Sequence, residues 1–136
     1  MIDREIIKIA SNTENYGVLG NHTHFSKLKN SICGDEMKIY LIVKNDKIVN
    51  FKYKCESCIY CQASVSLLSR KAKNKLIEKV KIFAQQANGY FDKNVNSFGK
   101  EWKEFDKIMT KNNISRKECL LLPINTMLDA LSKKSL

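Results

Sequence analysis

Five cysteines in a chain of 136 residues, Cys33, Cys55, Cys58, Cys61 and Cys119, hold most of its chemical potential. Thiolates attack disulfides and persulfides, and they bind soft metals such as zinc and the iron of iron–sulfur clusters. An odd number of cysteines does not make a closed disulfide framework. The start Met-Ile-Asp-Arg-Glu-Ile-Ile-Lys is charged throughout, with no apolar signal core. No stretch approaches the roughly 18 apolar residues of a membrane span. A cytoplasmic protein without a membrane partner is therefore expected, its cysteines kept as free thiols or metal ligands.

The spacing singles out a subset. Asp35 follows Cys33 across Gly34, and a glycine lets the backbone bend so that a Cys-Gly-Asp thiolate and carboxylate face one centre. Cys33 lies just before one expected strand and Cys58 just after the next. Antiparallel strands return the chain to where it began, so the two thiols can share one metal ion. Cys119 follows Ser115-Arg116-Lys117-Glu118, which reads as a capping box, so it falls in the first turn of a helix. There the helix dipole and Arg116 favour thiolate. Pro123 withholds a backbone donor and is expected to delay or kink that helix.

Cys33, Asp35, Cys58 and Cys119 together suit zinc, or an iron–sulfur cluster with one weak oxygen ligand. Singly, each has a plainer reading, because a lone cysteine is usually a small buried apolar residue and Gly-Asp is usually a turn. The run Cys55-x-x-Cys58-x-x-Cys61 resembles part of a bacterial ferredoxin motif without its fourth cysteine and proline. Cys55 and Cys61 read as spare ligands, sulfur relays or tolerated thiols. His22 and His24 form a His-x-His pair in a polar stretch, where a solvated role is expected.

The elements that must position these residues follow from periodicity. Ile6, Ile7 and Ala10 mark a short helix over 3–10 capped by Asp3. The stretch 12–30 reads as loop with one short strand. Met37, Ile39, Leu41 and Val43 alternate with polar neighbours. Past the Asn45-Asp46 turn, Ile48, Asn50, Lys52 and Lys54 fall on one face against Val49, Phe51 and Tyr53, giving an antiparallel hairpin. Helices are expected from Ala63 to Lys73, over 74–88 with Gly89 as the stop, around Trp102, Phe105, Ile108 and Met109, and from about Cys119 to Leu131. This order predicts one domain over 1–136 of the α+β class, a small antiparallel sheet of about three strands with helices packed on one face.

Charge adds little. The net +10 comes from 24 basic and 14 acidic residues, but the lysines run from Lys8 to Lys134 without clustering and alternate with acids. With no accompanying motif, no nucleic-acid partner is expected.

Cys33-Gly34-Asp35 before a hairpin, Cys58 with Ala63-Ser64-Val65-Ser66 behind it, and Arg116-x-x-Cys119 near the C-terminus resemble the IscU/SufU/NifU N-terminal scaffold family. Glu14-Asn15-Tyr16-Gly17-Val18-Leu19 resembles its N-terminal segment, so the resemblance covers essentially the whole chain. The segment from Gly89 to Ile114 is similar to an insertion of the SufU branch. Glu118 stands where IscU-like members carry histidine. SufU-like members usually have Arg-x-Lys-Cys, and here only Arg116 matches. Another departure is the flanking of Cys58 by Cys55 and Cys61, where the family usually has a single cysteine preceded by glycine.

The resemblance implies a protein that receives sulfur from a SufS-like cysteine desulfurase and supports iron–sulfur cluster assembly for apo iron–sulfur recipient proteins. Within it, Cys33 is the expected sulfur acceptor and Cys119 the alternative, with Cys33, Cys58 and Cys119 ligating a cluster if the chain is a scaffold. A zinc-dependent sulfur acceptor and a structural zinc module remain open. The role is that of an accessory protein rather than an enzyme in its own right.

Overall fold

Asn45 and Asp46 adopt left-handed φ values of 53° and 61°, the backbone of a two-residue hairpin turn. They join β2 (Glu36–Lys44) to β3 (Lys47–Glu56), with Lys44 opposite Lys47. β1 (His24–Lys29) pairs with the other edge of β2, so the sheet is fully antiparallel in the order β1-β2-β3. The computed structural model describes residues 3–32, 34–91 and 98–133.

The hairpin departs from strict alternation. Ile42 pairs with Asn50 and Val43 with Ile48, which leaves Val49 as an extra residue on β3. Such a bulge exchanges the faces on either side of it. Ile48 therefore turns to the core with Phe51 and Tyr53, whereas alternation alone had put it on the opposite face.

Helices cover one face of the sheet. α1 (Arg4–Ala10) is capped by Asp3, whose side chain accepts from Glu5 N. α2 (Ile59–Ala72) and α4 (Lys117–Ser132) pack on each other and on the strands, burying Leu67, Leu68, Leu120, Ile124 and Met127 against Ile39, Leu41 and Phe51. α2 has neighbours all round, so even its serines are buried and need partners. Ser64 Oγ donates to Leu120 O at 2.7 Å, and Ser66 Oγ to Asn12 O at 2.6 Å. The N-terminal segment closes the free edge of β3: Tyr53 N donates to Asn15 O, and Gly17 N donates to Tyr53 O.

Three helical expectations need correction. α2 starts at Ile59, with Cys58 as its N-cap, so Cys61 lies inside the helix rather than before it. The Trp102 segment is a 3-10 helix, Lys100–Lys107. Trp102, Phe105 and Ile108 recur every third residue, the period of that helix, and all are buried. Ser115 and Glu118 form no capping box. A 3-10 turn, Lys111–Arg116, runs directly into α4, whose N-cap Arg116 makes no side-chain capping bond; Lys117 N donates to Ile114 O instead. α4 continues through Pro123. α3 (Ile77–Gly89) starts three residues later than expected and runs through Gly89, the expected stop, to a Tyr90 C-cap; its Phe83 stacks on Trp102 at 4.1 Å. Of the expected insertion between Gly89 and Ile114, residues 92–97 lie outside the described part. Among the described residues no helix is long and apolar enough to cross a membrane.

Candidate metal centre

The turn before β2 is held by its own backbone. Asn30 N donates to Asp35 O and Gly34 N to Asn30 O, both at 2.7 Å, while Asn30 Oδ1 accepts from Ile32 N. Gly34 has φ 74°, a conformation that side chains with a Cβ rarely adopt. This turn delivers Asp35 inward, where it is only 5% exposed. Asp35 Oδ1 accepts from Cys58 N at 3.2 Å, which ties the turn to the start of α2. Asp35 Oδ2 is buried with no hydrogen-bond partner among the described residues.

Cys58 occupies the N-cap of α2 in an extended backbone conformation (φ −70°, ψ 168°) and is half-buried. Cys119 is the third residue of α4 and is buried. The bond from Ser64 to Leu120 fixes the first turn of α4 against α2. Above it, the Arg116 guanidinium lies over the Tyr60 ring, 5.1 Å from its centroid. The result is convergence: one ligand atom each from Asp35, Cys58 and Cys119 lies within 4.8 Å of the others. A buried carboxylate oxygen without a donor is costly unless something positive meets it. Two thiolates and a carboxylate that converge in this way fit zinc or iron. Cys33, the remaining expected ligand, lies outside the described residues.

The other two cysteines sit beside this group without joining it among the described residues. Cys55 lies near the end of β3 and lines a surface cleft of about 230 Å³ with Tyr16, Glu36, Lys38, Lys54 and Glu56. Burial pushes its thiol up, opposed by the Ser57 side chain and reinforced by negative charge on Asp35 and Cys58. Cys61 is fully buried, and burial raises its thiol far above the usual range, with Ser57 opposing and Cys55, Asp35 and Cys58 reinforcing. Cys55, Cys58, Cys61 and Asp35 thus share one electrostatic neighbourhood.

The histidines are elsewhere. His22 Nδ1 lies 2.6 Å from Leu19 O, and its ring packs against Phe25 and Tyr40. His24 Nδ1 is 2.8 Å from Thr23 Oγ1 at the start of β1. Tyr60 was not a candidate in the sequence; its position two residues after Cys58 was the available signal. The bond from Cys58 N to Asp35 left none, because it depends on where two distant segments meet.

The sequence profile of NifU-like N terminal domains matches residues 1–107. The chain belongs to the NifU-like N terminal domain family. That match takes in Asp35 and Cys58 and ends before Cys119. A relative covering the C-terminal part as well is the iron–sulfur cluster assembly scaffold protein IscU of Thermotoga maritima, 27% identical over 135 residues, 99% of this chain and 95% of that protein. Family folds agree with the one described. The N-terminal NifU-like protein of Brucella abortus superposes with a TM-score of 0.89 at 17% identity, covering 96% of this chain and 91% of that one. A candidate iron–sulfur cluster assembly scaffold protein for the SUF system, from the thermophile Fervidobacterium islandicum AW-1, gives 0.80 at 27% identity, with 96% of both chains covered.

Proposed function

We propose that this chain is a SufU-like iron–sulfur cluster assembly protein. It receives sulfur from a SufS-like cysteine desulfurase at a centre made by Cys33, Asp35, Cys58 and Cys119, and passes clusters to apo iron–sulfur proteins. The observation that carries this reading is the meeting of Asp35, Cys58 and Cys119, with one Asp35 carboxylate oxygen buried and lacking a partner among the described residues. The scaffold roles of the Thermotoga and Fervidobacterium proteins support it. Cys33, Cys58 and Cys119 ligate the nascent cluster as cargo. Asp35 supplies a hard oxygen among soft sulfurs, so its bond exchanges readily when cargo leaves. Residues 1–136 act as one domain in the cytoplasm, with neither nucleic acid nor membrane as partner.

A second reading is favoured by the way two ligands are held. Cys119 is buried in a helix and Cys58 is pinned through its N–H to Asp35, whereas Cys33 adjoins the Gly34 turn. Zinc at this centre would hold the thiolates in a redox-inert site from which one must be displaced for sulfur transfer. Cys33 is then the thiolate that leaves and collects sulfur, with Cys119 the alternative.

The test is metal analysis of anaerobically purified protein, followed by desulfurase loading and mapping of the persulfide by mass spectrometry. Persulfide on Cys33 with zinc retained and no cluster formed supports the acceptor. A stable cluster ligated by all three cysteines supports the scaffold. Tight zinc with neither persulfide nor cluster overturns both in favour of a structural zinc module.

A further inference from the structure

Strand pairing gathers lysines that lie far apart in the sequence. The helices cover the sheet face that carries Met37, Ile39 and Leu41, so the residues between these on β2 point away from the helices. On that outer face Lys38 stands directly opposite Lys27 of β1 and Lys54 of β3, with Lys29 and Lys52 as diagonal neighbours. Glu36 and Glu56 face each other one row away, at the end of the strands nearest Asp35. Like charges directly opposite across strands repel, and unlike ones attract. Lys27 meets Glu36 at 3.7 Å, whereas Lys38, Lys52 and Lys54 form no ion pair among the described residues. The row is thus sorted by sign and left uncompensated, a pattern that an anionic group from outside completes.

The rest of the face narrows what that group belongs to. A second copy carries the same net charge of +10 and adds to the repulsion. Single-stranded nucleic acid needs open ring faces on which bases stack. Here Phe25 and Tyr40 pack on each other at 5.0 Å and His22 packs on both, while Glu36 and Glu56 would oppose a run of phosphates. A protein can set single carboxylates against the lysines and a neutral or basic residue against the two acids. The cleft lined by Lys38, Lys54, Glu36 and Glu56, about 230 Å³, has room for such a side chain.

We propose that the outer face of the sheet, centred on Lys38 between Lys27 and Lys54, is a docking surface for an acidic protein partner. This surface does not depend on the function proposed above. Lys38 is three residues along β2 from Asp35, about 10 Å at the rise of a strand. A partner seated there lies beside the metal centre, while α2 and α4, which carry Cys58 and Cys119, pack on the opposite face.

The test uses the full-length, isotope-labelled chain with a glutamate-rich peptide as the probe, titrated at low salt and followed by backbone amide shifts. The expected result is saturable binding with shifts concentrated on β1, β2 and β3, weakening as salt rises. Each lysine-to-glutamate reversal removes an exposed ion pair and adds a repulsion, so Lys38→Glu combined with Lys54→Glu should weaken binding about ten-fold. Lys81→Glu combined with Lys103→Glu makes the same change in net charge at exposed positions of α3 and the 3-10 helix. That pair should weaken binding less than about two-fold. If the first pair fails to fold, judged by thermal unfolding, Lys38→Gln combined with Lys54→Gln takes its place, with a loss of about three-fold. Equal weakening by the two pairs, or shifts spread over α3 and α4, reduces the effect to net charge and overturns the proposal. So does the lack of saturable binding, and so does tighter binding of a single-stranded RNA of matched charge with shifts at Phe25 and Tyr40.

Discussion

Replacing Asp35 with asparagine should have opposite effects on the metal-free and metal-loaded chain. Asp35 is 5% exposed, with Oδ1 accepting from Cys58 N and Oδ2 buried without a partner among the described residues. Asparagine keeps an acceptor for Cys58 N and removes a buried charge that this single donor only partly meets. Burying such an oxygen costs about 1–3 kcal/mol, so Asp35→Asn should stabilise the metal-free chain by about 1 kcal/mol. For a domain of this size that corresponds to a rise in Tm of about 3–4 °C. With metal the sign reverses. Losing an anionic ligand should weaken affinity at least as much as losing an outer-shell partner, about 100-fold, or about 2.7 kcal/mol of binding. At a fixed excess of metal that stabilisation is subtracted directly from the loaded chain. The assay is thermal unfolding of both proteins after chelation and again with zinc, alongside competition titrations for affinity. Equal lowering of Tm in both conditions would refute the reasoning, since Asp35 would then serve the fold and not a ligand.

Cys33→Ser, Cys58→Ser and Cys119→Ser should each lose most bound metal, whereas Cys55→Ser and Cys61→Ser retain it; full retention in Cys119→Ser, measured by elemental analysis, sinks the proposed site. Gly34→Ala meets open space but must hold φ 74°, so backbone strain of about 1–2 kcal/mol should lower Tm, and metal affinity should fall with it because Asp35 is displaced. Burial, with negative charge on Cys55, pushes the Tyr53 hydroxyl up to about 12. Its contribution, on the order of 2 kcal/mol, is therefore fully present below pH of about 10 and lost as pH rises toward 12. Tyr53→Phe should flatten that part of the denaturation profile, and an unchanged profile would discount it. Arg116→Glu should weaken desulfurase binding, and added salt should weaken the parent likewise with a Debye length of about 8 Å at physiological ionic strength; indifference to both counts against electrostatic docking there.

The parts of this molecule that could be read from sequence are those fixed by local rules. Asn45-Asp46 dictates its turn through backbone preference, and Asp3 caps α1 as its side-chain chemistry suggests. That the turn before β2 meets the start of α2 also followed, because a hairpin must bring its two ends together, although the bond from Cys58 N to Asp35 that joins them did not. What was misread depended on competition between neighbouring rules. The Val49 bulge interrupts a pattern that alternation would carry through, and it turns Ile48 into the core. The capping signature at Ser115 was overridden by a 3-10 turn in which Lys117 N donates to Ile114 O. Trp102, Phe105 and Ile108 fit both helical periods, and only their packing around Phe83 selects the tighter one. The start of α2 was placed too late because Cys58 lacks the oxygen that usually announces an N-cap.

α2 and α4 both begin at the ligand cluster, one with Cys58 at its N-cap and the other with Cys119 in its first turn. Each helix end presents the equivalent of about half a positive charge. Together they offset part of the mutual repulsion among two thiolates and a carboxylate, and they do so through backbone that no exchange of cargo removes. Walls built this way stay together when the centre is empty, so any metal that enters meets an assembled cradle and not a loosened one.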